Sequence, residues 1–146
     1  MSLFSVLSVS ASGMAAQRLR SELLVENIAN SETTRTAEGG PYRRKDAVFS
    51  SDPVGPSFSS ELDSQLGGGA SMGVKVVGIS VDTRDPEQRY MPGHPDADAD
   101  GYVKMPRVNP AEDMVDLMSA SRSYQANVSA MSAVKDMIQH SIDLLR

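Results

Sequence analysis

The sequence contains no cysteine and no tryptophan, and it is poor in other aromatic residues, with three phenylalanines and four tyrosines among 146 residues. Without cysteine the chain has neither a disulfide framework nor a thiolate site. Because aromatic side chains supply much of the buried area of compact cores, their scarcity argues against a large globular interior. The length fits one domain, or one small domain with extended arms.

The sequence also has no excess of positive charge: it contains 14 basic and 19 acidic side chains, and its net charge is -5. Nucleic acid is therefore not expected as a partner, because phosphate binding is driven by positive charge. The one basic run, RRK at 43–45, is short and is expected to be a solvated strand face. No apolar run reaches the roughly 20 residues of a membrane-spanning helix, so no membrane span is expected. The N-terminal segment lacks the basic start of a signal peptide and is interrupted by serines, and we expect it to be retained.

Catalytic and ligand-binding motifs are missing as well. The chain has no P-loop, G-x-S-x-G, H-E-x-x-H or dinucleotide-binding fingerprint. His94 and His140 lie far apart, and no histidine–glutamate pair has the spacing of a zinc site. The sequence therefore predicts neither an enzyme nor a metal site, a cofactor or a small-molecule substrate.

One stretch, HPDADADGYV at residues 94–103, resembles the first half of an EF-hand calcium loop. Such a loop needs a bidentate glutamate at its twelfth position, which counted from Asp96 is Arg107. We therefore favour a structural turn and keep weak calcium binding through Asp96, Asp98 and Asp100 as an alternative. The residues of this predicted turn are Gly93, His94, Pro95, Asp96, Asp98, Asp100 and Gly101.

Both ends of the chain predict amphipathic helices. In residues 3–30, apolar and small residues recur every fourth position from Leu7 to Leu23. In residues 109–146, Asn109 is suited to cap the helix and Pro110 to occupy its first position. This C-terminal segment has a heptad pattern of the coiled-coil type. Eight of its ten heptad positions are apolar: Met114, Leu117, Ser121, Tyr124, Val128, Met131, Lys135, Ile138, Ile142 and Leu145.

The middle of the chain predicts short strands. Residues 42–50 and 74–83 have strand patterns, QRYM and GYVKM are short extended pieces, and residues 51–73 form a flexible loop. The predicted fold class is mainly α with a small β insertion. Long N- and C-terminal helices form an antiparallel coiled-coil-like pair, with a small open β-unit between them. The predicted divisions are 1–30, 31–108 and 109–146.

Two blocks of sequence carry a resemblance to a known family. They are ENIANSETTRTAEGGPYRRKDAVF at 26–49 and RYMPGHPDADADGYVKMPRVNPAEDMVDLMSASRSYQANVSAM at 89–131, together about half of the chain. In these blocks the chain resembles flagellar basal-body rod proteins, and most closely those of the proximal rod. The alternative from the helical pattern alone is a soluble coiled-coil adaptor unrelated to flagella.

The resemblance implies a structural subunit of an axial tube in the periplasm, which transmits torque and reaches its place through the flagellar type III export apparatus without signal cleavage. Residues 1–30 and 109–146 would form the inner, tube domain. The implied partners are other copies, other rod proteins and the adaptor between the export gate and the MS ring. The predicted assembly interface consists of Leu7, Leu19, Leu23, Asn27, Ile28, Asn30, Met114, Leu117, Tyr124, Asn127, Val128, Met131, Ile138, Ile142 and Leu145.

Overall fold

A computed structural model of the chain describes residues 3–53 and 72–144. The elements follow in the order α1 (Leu3–Ala29), β1 (Lys45–Pro53), β2 (Met72–Val81), β3 (Glu87–Tyr90), β4 (Tyr102–Met105) and α2 (Pro110–Asp143). Most of the predicted loop at 51–73 lies outside the described residues.

The helices begin and end close to where their capping residues predict. The side-chain oxygen of Asn109 accepts a hydrogen bond from the N–H of Ala111 at 3.2 Å, which confirms Asn109 as the N-cap of α2. Pro110 is the first helical residue, and Glu112 and Asp113 lie in the first turn near the positive end of the helix dipole. Helix α1 ends at Ala29, one residue before the predicted end.

The strands form two separate two-stranded sheets, β1–β2 and β3–β4. The β3–β4 pair is antiparallel, with Glu87 opposite Met105 and Tyr90 opposite Tyr102. The side chains of β4 alternate between exposed and buried, so that Val103 and Met105 enter the interior. All four residues of β3 are exposed.

The chain divides into two compact units, and each helix contributes residues to both. The first unit comprises Met1–Leu19, Val48–Gly78 and Ala120–Arg146, and the second Arg20–Ala47 and Ile79–Ser119. The buried side chains described in the first unit are small: Ser10, Ala16, Ala120 and Val134. The second unit buries larger and more polar side chains: Leu23, Leu24, Asn27, Tyr42, Val103, Met105 and Asp113.

The predicted fold class is wrong in two respects. The β residues form two small sheets rather than one open β-unit. The terminal helices are also not a coiled-coil-like pair, because a coiled coil buries its heptad seam, whereas Met114, Tyr124, Val128 and Ile142 are 56%, 41%, 45% and 56% exposed.

The buried side of α2 is rotated relative to the predicted seam. Its buried residues are Asp113, Ala120 and Val134, which precede predicted seam positions by one residue. In the first unit Gly13 is packed tightly against α2, since a Cβ added there would lie 3.2 Å from the side-chain nitrogen of Asn127.

Candidate assembly interface

Large apolar side chains are exposed along the whole of α2. In the second unit Met114, Val115 and Met118 are 56%, 66% and 56% exposed. In the part of α2 that belongs to the first unit, Met137 is exposed to a similar degree. We call the full set the outer residues of α2: Met114, Val115, Met118, Tyr124, Val128, Met137 and Ile142. Extended apolar surface of this kind marks a place where another molecule binds.

The β1–β2 sheet exposes apolar side chains too. Val77 is 66% exposed, and Met72, Ile79 and Val81 on the same strand are exposed as well. On β1 the ring of Phe49 is exposed. A two-stranded sheet is only marginally stable in water unless something packs on it. The part of the sheet in the first unit, which carries Phe49, Met72 and Val77, therefore provides a second candidate surface.

The predicted interface residues occupy three kinds of environment. Four are exposed: Met114, Tyr124, Val128 and Ile142. Eight are half-buried: Leu7, Leu19, Ile28, Asn30, Leu117, Asn127, Met131 and Ile138. Leu23 and Asn27 are buried, and Leu145 lies outside the described residues. Their place in an interface with other molecules stays a prediction.

The aspartate-rich stretch forms a turn in which the carboxylates bind protein groups. Oδ1 of Asp98 accepts hydrogen bonds from the N–H groups of Asp100 and Tyr102, at 3.1 and 2.8 Å. Gly101 has a φ of 84°, and a Cβ there would lie 2.9 Å from the ring of Tyr90. Only glycine fits this position without strain.

Asp96 connects this turn to the segment that follows α1. Its carboxylate accepts a hydrogen bond from the hydroxyl of Thr34 at 2.7 Å and pairs with the guanidinium of Arg35. The Thr34 hydrogen bond and the nearby positive charges hold the pKa of Asp96 below its ordinary value. Within residues 3–53 and 72–144, no three acidic or histidine side chains cluster in a way that could hold a metal ion.

Asn27, on the last turns of α1, is fully buried and connects the helix to β1. Its Nδ2 donates to the carbonyl oxygen of Lys45 at 2.9 Å, and its Oδ1 accepts from the N–H of Lys45 at 3.0 Å. The same Oδ1 accepts a hydrogen bond from the hydroxyl of Tyr42 at 2.9 Å. Burial and the negative charges of Glu26 and Asp113 raise the pKa of Tyr42 to about 12, so this hydroxyl keeps its proton.

Asp113, in the first turn of α2, is the second fully buried polar side chain of this unit. The guanidinium of Arg44 lies 2.9 Å from its Oδ1, although neither carboxylate oxygen accepts a well-aligned hydrogen bond from the described residues. Burial raises the pKa of Asp113, and the charge of Arg44 opposes this effect. Arg44 also contacts the exposed carboxylate of Asp46. We call Asn27, Tyr42, Arg44, Lys45 and Asp113 the polar joint.

Sequence reasoning misses most of the polar joint. It places Asn27 in an interface with other molecules, and the RRK run at 43–45 has the appearance of a solvated strand face. Instead, Arg44 has a side chain only 18% exposed and reaches a buried partner. For Asp113 the sequence indicates only a favourable place at the positive end of the helix dipole. The sequence does contain two opposite charges, Arg44 and Asp113, each next to an apolar pattern. Because 69 positions separate them, no local pattern indicates that they are in contact.

A cavity of about 630 Å³ lies beside the polar joint in the second unit. Its lining includes Arg44, Arg84 and Arg107 together with Asp82 and Glu112. The hydrogen bonds from the Arg84 side chain lower the pKa of Asp82 to about 2. Of the charges that line the cavity, Asp82 and Arg84 pair with each other, and Arg44 pairs with Asp46 and with the buried Asp113.

None of the helices in the described ranges is both long enough and apolar enough to cross a membrane.

The exposed apolar residues on long helices and on a thin sheet define a class of protein: a subunit that is completed by other molecules. Comparison with known proteins specifies the class. Residues 99–144 match the family model described as "Flagellar basal body rod FlgEFG protein C-terminal".

Curated relatives cover nearly the whole chain. The chain is 46% identical over 150 residues to the flagellar basal-body rod protein FlgC of Bacillus subtilis strain 168, covering 99% of both chains. It is 40% identical over 155 residues to FlgC of Borreliella burgdorferi, covering 100% of this chain and 99% of the relative. It is 39% identical over 145 residues to FlgC of Salmonella typhimurium, covering 99% and 98%.

The chain therefore belongs to the FlgC family of flagellar basal-body rod proteins. It is a structural subunit of the rod in the flagellar basal body and not an enzyme, and it assembles with other rod components. The predicted function is confirmed at this level, and a coiled-coil adaptor unrelated to flagella is excluded.

Proposed function

We propose that the protein polymerises through its terminal helices into the axial tube of the proximal rod and thereby transmits torque. The observation that carries this proposal is the exposure of the outer residues of α2. Full burial of a large apolar side chain contributes about 1.5–3 kcal/mol. Because these side chains are about half exposed, covering each one contributes roughly half of that, and seven of them on each subunit supply cohesion. In this arrangement residues 1–30 and 109–146 form the inner tube domain, and residues 31–108 lie outside it.

The contact between subunits is heterologous in this proposal. A head-to-tail contact that does not close on itself generates a filament, whereas a closed ring would end growth. The remaining interface residues, including Leu7, Leu19 and Ile138, become fully covered when the helices of neighbouring subunits pack on them. The exposed β1–β2 sheet contacts neighbours further from the axis.

The proposal extends to partners and location. The subunit joins other copies of itself, other rod proteins and the adaptor between the export gate and the MS ring. It travels through the flagellar type III export apparatus to the periplasm without cleavage of its N-terminus. The serine-interrupted first helix supports this route because it lacks the continuous apolar segment of a cleaved signal peptide.

Imaging tests the proposal. Basal bodies purified from a strain that lacks this chain should have no complete rod in negative-stain micrographs, and the unaltered chain should restore it. A chain without residues 1–30 should fail to restore it, because it has lost one of its two helices. An intact rod in the deletion strain would contradict the proposal.

A further inference from the structure

Two adjacent residues of the second unit bind both of its fully buried polar side chains. Lys45 gives its backbone N–H and C=O to the amide of Asn27 on α1. The preceding residue, Arg44, gives its guanidinium to the carboxylate of Asp113 on α2. Within this unit, the end of α1 and the start of α2 are thus attached to one dipeptide.

The amide of Asn27 binds Lys45 in the way a neighbouring strand would bind it. It donates to the carbonyl and accepts from the N–H of the same residue, so both distance and direction are fixed. The hydroxyl of Tyr42 holds the amide in this orientation. Losing one partner in such a buried network leaves other polar groups unpaired, which is costly.

We propose that Asn27 is a positioning residue for rod assembly: together with the Arg44–Asp113 pair, it fixes the last turns of α1 relative to the first turns of α2 before the subunit meets its neighbours. The inference rests on the proposed function. It differs from the prediction that Asn27 touches a neighbouring subunit. Complete burial of Asn27 and the use of its amide inside the subunit support a positioning role.

The polar joint also orients the exposed surface of α2. Asp113 directly precedes Met114, the first of the outer residues of α2, and Met118 follows five residues later, roughly 140° round the helix from Asp113. A buried, paired carboxylate at Asp113 therefore determines which side of α2 faces outwards in this unit. Apolar contacts alone specify this less strictly, because they are not directional.

Hydrogen exchange of the full-length subunit tests the proposal at one amide. In Asn27→Ala, the N–H of Lys45 loses the acceptor that it uses now, and we expect its exchange to accelerate about tenfold or more. The melting temperature should fall by about 5 °C. Basal bodies from the deletion strain that expresses this variant should contain fewer complete rods than those with the unaltered chain.

Asn30→Ala is the matched control for exchange and melting. The amide of Asn30 donates to the carbonyl of Glu26 within its own helix turn, and its oxygen accepts from Thr33. It is an asparagine of the same NIAN stretch, but both of these bonds stay within a few residues of it and neither reaches β1. Exchange at Lys45 should therefore stay unchanged in this variant.

A second variant, Asn27→Asp, keeps the proposal testable if the alanine variant does not fold. A protonated carboxyl group can donate to the Lys45 carbonyl and accept from its N–H as the amide does, whereas the ionised form cannot donate. The charged groups around this site are Glu26, Asp46, Asp113, the guanidinium of Arg44 and the ammonium of Lys45. The melting temperature of Asn27→Asp should approach that of the unaltered protein as the pH falls from about 7.5 to about 5, while Asn27→Ala should show no such recovery.

Each outcome is decisive. If Asn27→Ala abolishes rods while Lys45 exchange and melting stay unchanged, the side chain acts by touching a neighbour and the inference is wrong. If Lys45 exchange accelerates but rods form in full number, the polar joint does not serve assembly and the inference is equally wrong. If even the unaltered chain restores no rods, the proposed function fails, and the Lys45 exchange rates still show whether Asn27 holds β1.

Discussion

Two polar side chains of the second unit are buried as completely as any of its apolar side chains. Asn27 and Asp113 are fully buried there, and Val103 is the apolar side chain buried to the same degree. Buried polar groups are tolerated only when they are paired, and they make one arrangement more favourable than its alternatives. The small number of aromatic residues therefore does not leave this unit unspecified.

The two partners of the buried ion pair should respond differently to mutation. Arg44→Ala leaves the carboxylate of Asp113 buried without its cation, and we expect a loss of about 3 kcal/mol in the free energy of unfolding. Asp113→Asn removes the buried charge itself while Arg44 keeps Asp46, and we expect a change within about 1 kcal/mol at neutral pH. Urea unfolding of both variants measures the difference. Equal losses would contradict this account of the pair.

The pH dependence of stability tests the direction of the pKa shift of Asp113. Burial raises the pKa of Asp113 in the folded state above its unfolded value, so the folded state binds the proton more tightly. Stability from this group is present below the unfolded pKa and is lost as the pH rises through the folded pKa. The unaltered protein should therefore gain stability relative to Asp113→Asn as the pH falls from neutral towards the ordinary aspartate pKa of about 4. A gap that moves the other way would contradict the direction of the shift.

The aspartate turn shows how much of a site can be predicted from local sequence. The alternation of aspartates before Gly101 predicts a turn, because these side chains bond to nearby backbone N–H groups. The bonds of Asp98 are of this local kind. The contact between Thr34 and Asp96 joins residues 62 positions apart and has no local signal. It depends on how the segment after α1 folds back in the second unit.

For the helices, the sequence predicts where an element begins and ends better than it predicts which of its faces is buried. Asn109 and Pro110 place the start of α2, since capping is a local interaction between a side chain and the next turn. The heptad pattern misplaces the buried face of α2 by about one residue, because it assigns the apolar side chains to the inside. An assembly subunit presents apolar residues on its outside as well, so hydrophobic pattern does not identify its inside.

The outer residues of α2 should tolerate charge in the subunit but not in the rod. Val128→Glu changes a residue that is 45% exposed, and we expect the free energy of unfolding to stay within about 0.5 kcal/mol. Rods should be lost in the complemented deletion strain, since burying an unpaired carboxylate in an interface is costly. Negative-stain counts of complete rods measure the loss.

Ser129→Glu is the matched control for this variant. Ser129 is exposed and follows Val128 in α2, so the same charge enters one position further round the helix. Rods should persist with Ser129→Glu, because no large apolar contact is lost. Normal rods with Val128→Glu would remove Val128 from the interface.

For the strands too, the sequence predicts where the elements lie but not how they pack together. The extended segments are predicted within about three residues of β1 to β4 because alternation and turn residues are local signals. Their pairing into two sheets is not predicted. Pairing depends on which segments meet after the chain has folded, and strand patterns of this length do not specify a partner.

For the molecule as a whole, we expect helix content to increase on assembly. The buried side chains described in the first unit are few and small, and an isolated helix without tertiary contacts is marginal in water. Circular dichroism of dilute subunit should therefore report fewer helical residues than α1 and α2 contain, and the signal should rise when rods form. Both helices fully formed in dilute solution would contradict this expectation.

Composition, caps and turn residues determined the helices, the strands and the aspartate turn, because each of these rests on interactions between residues a few positions apart. Two blocks of sequence were by themselves sufficient to indicate the rod family. Tertiary structure alone decided which side of α2 is inside, how the strands pair, and that Asn27 and Asp113 meet Lys45 and Arg44. These features depend on contacts between distant segments, whose free energy depends on burial and geometry that no local pattern contains.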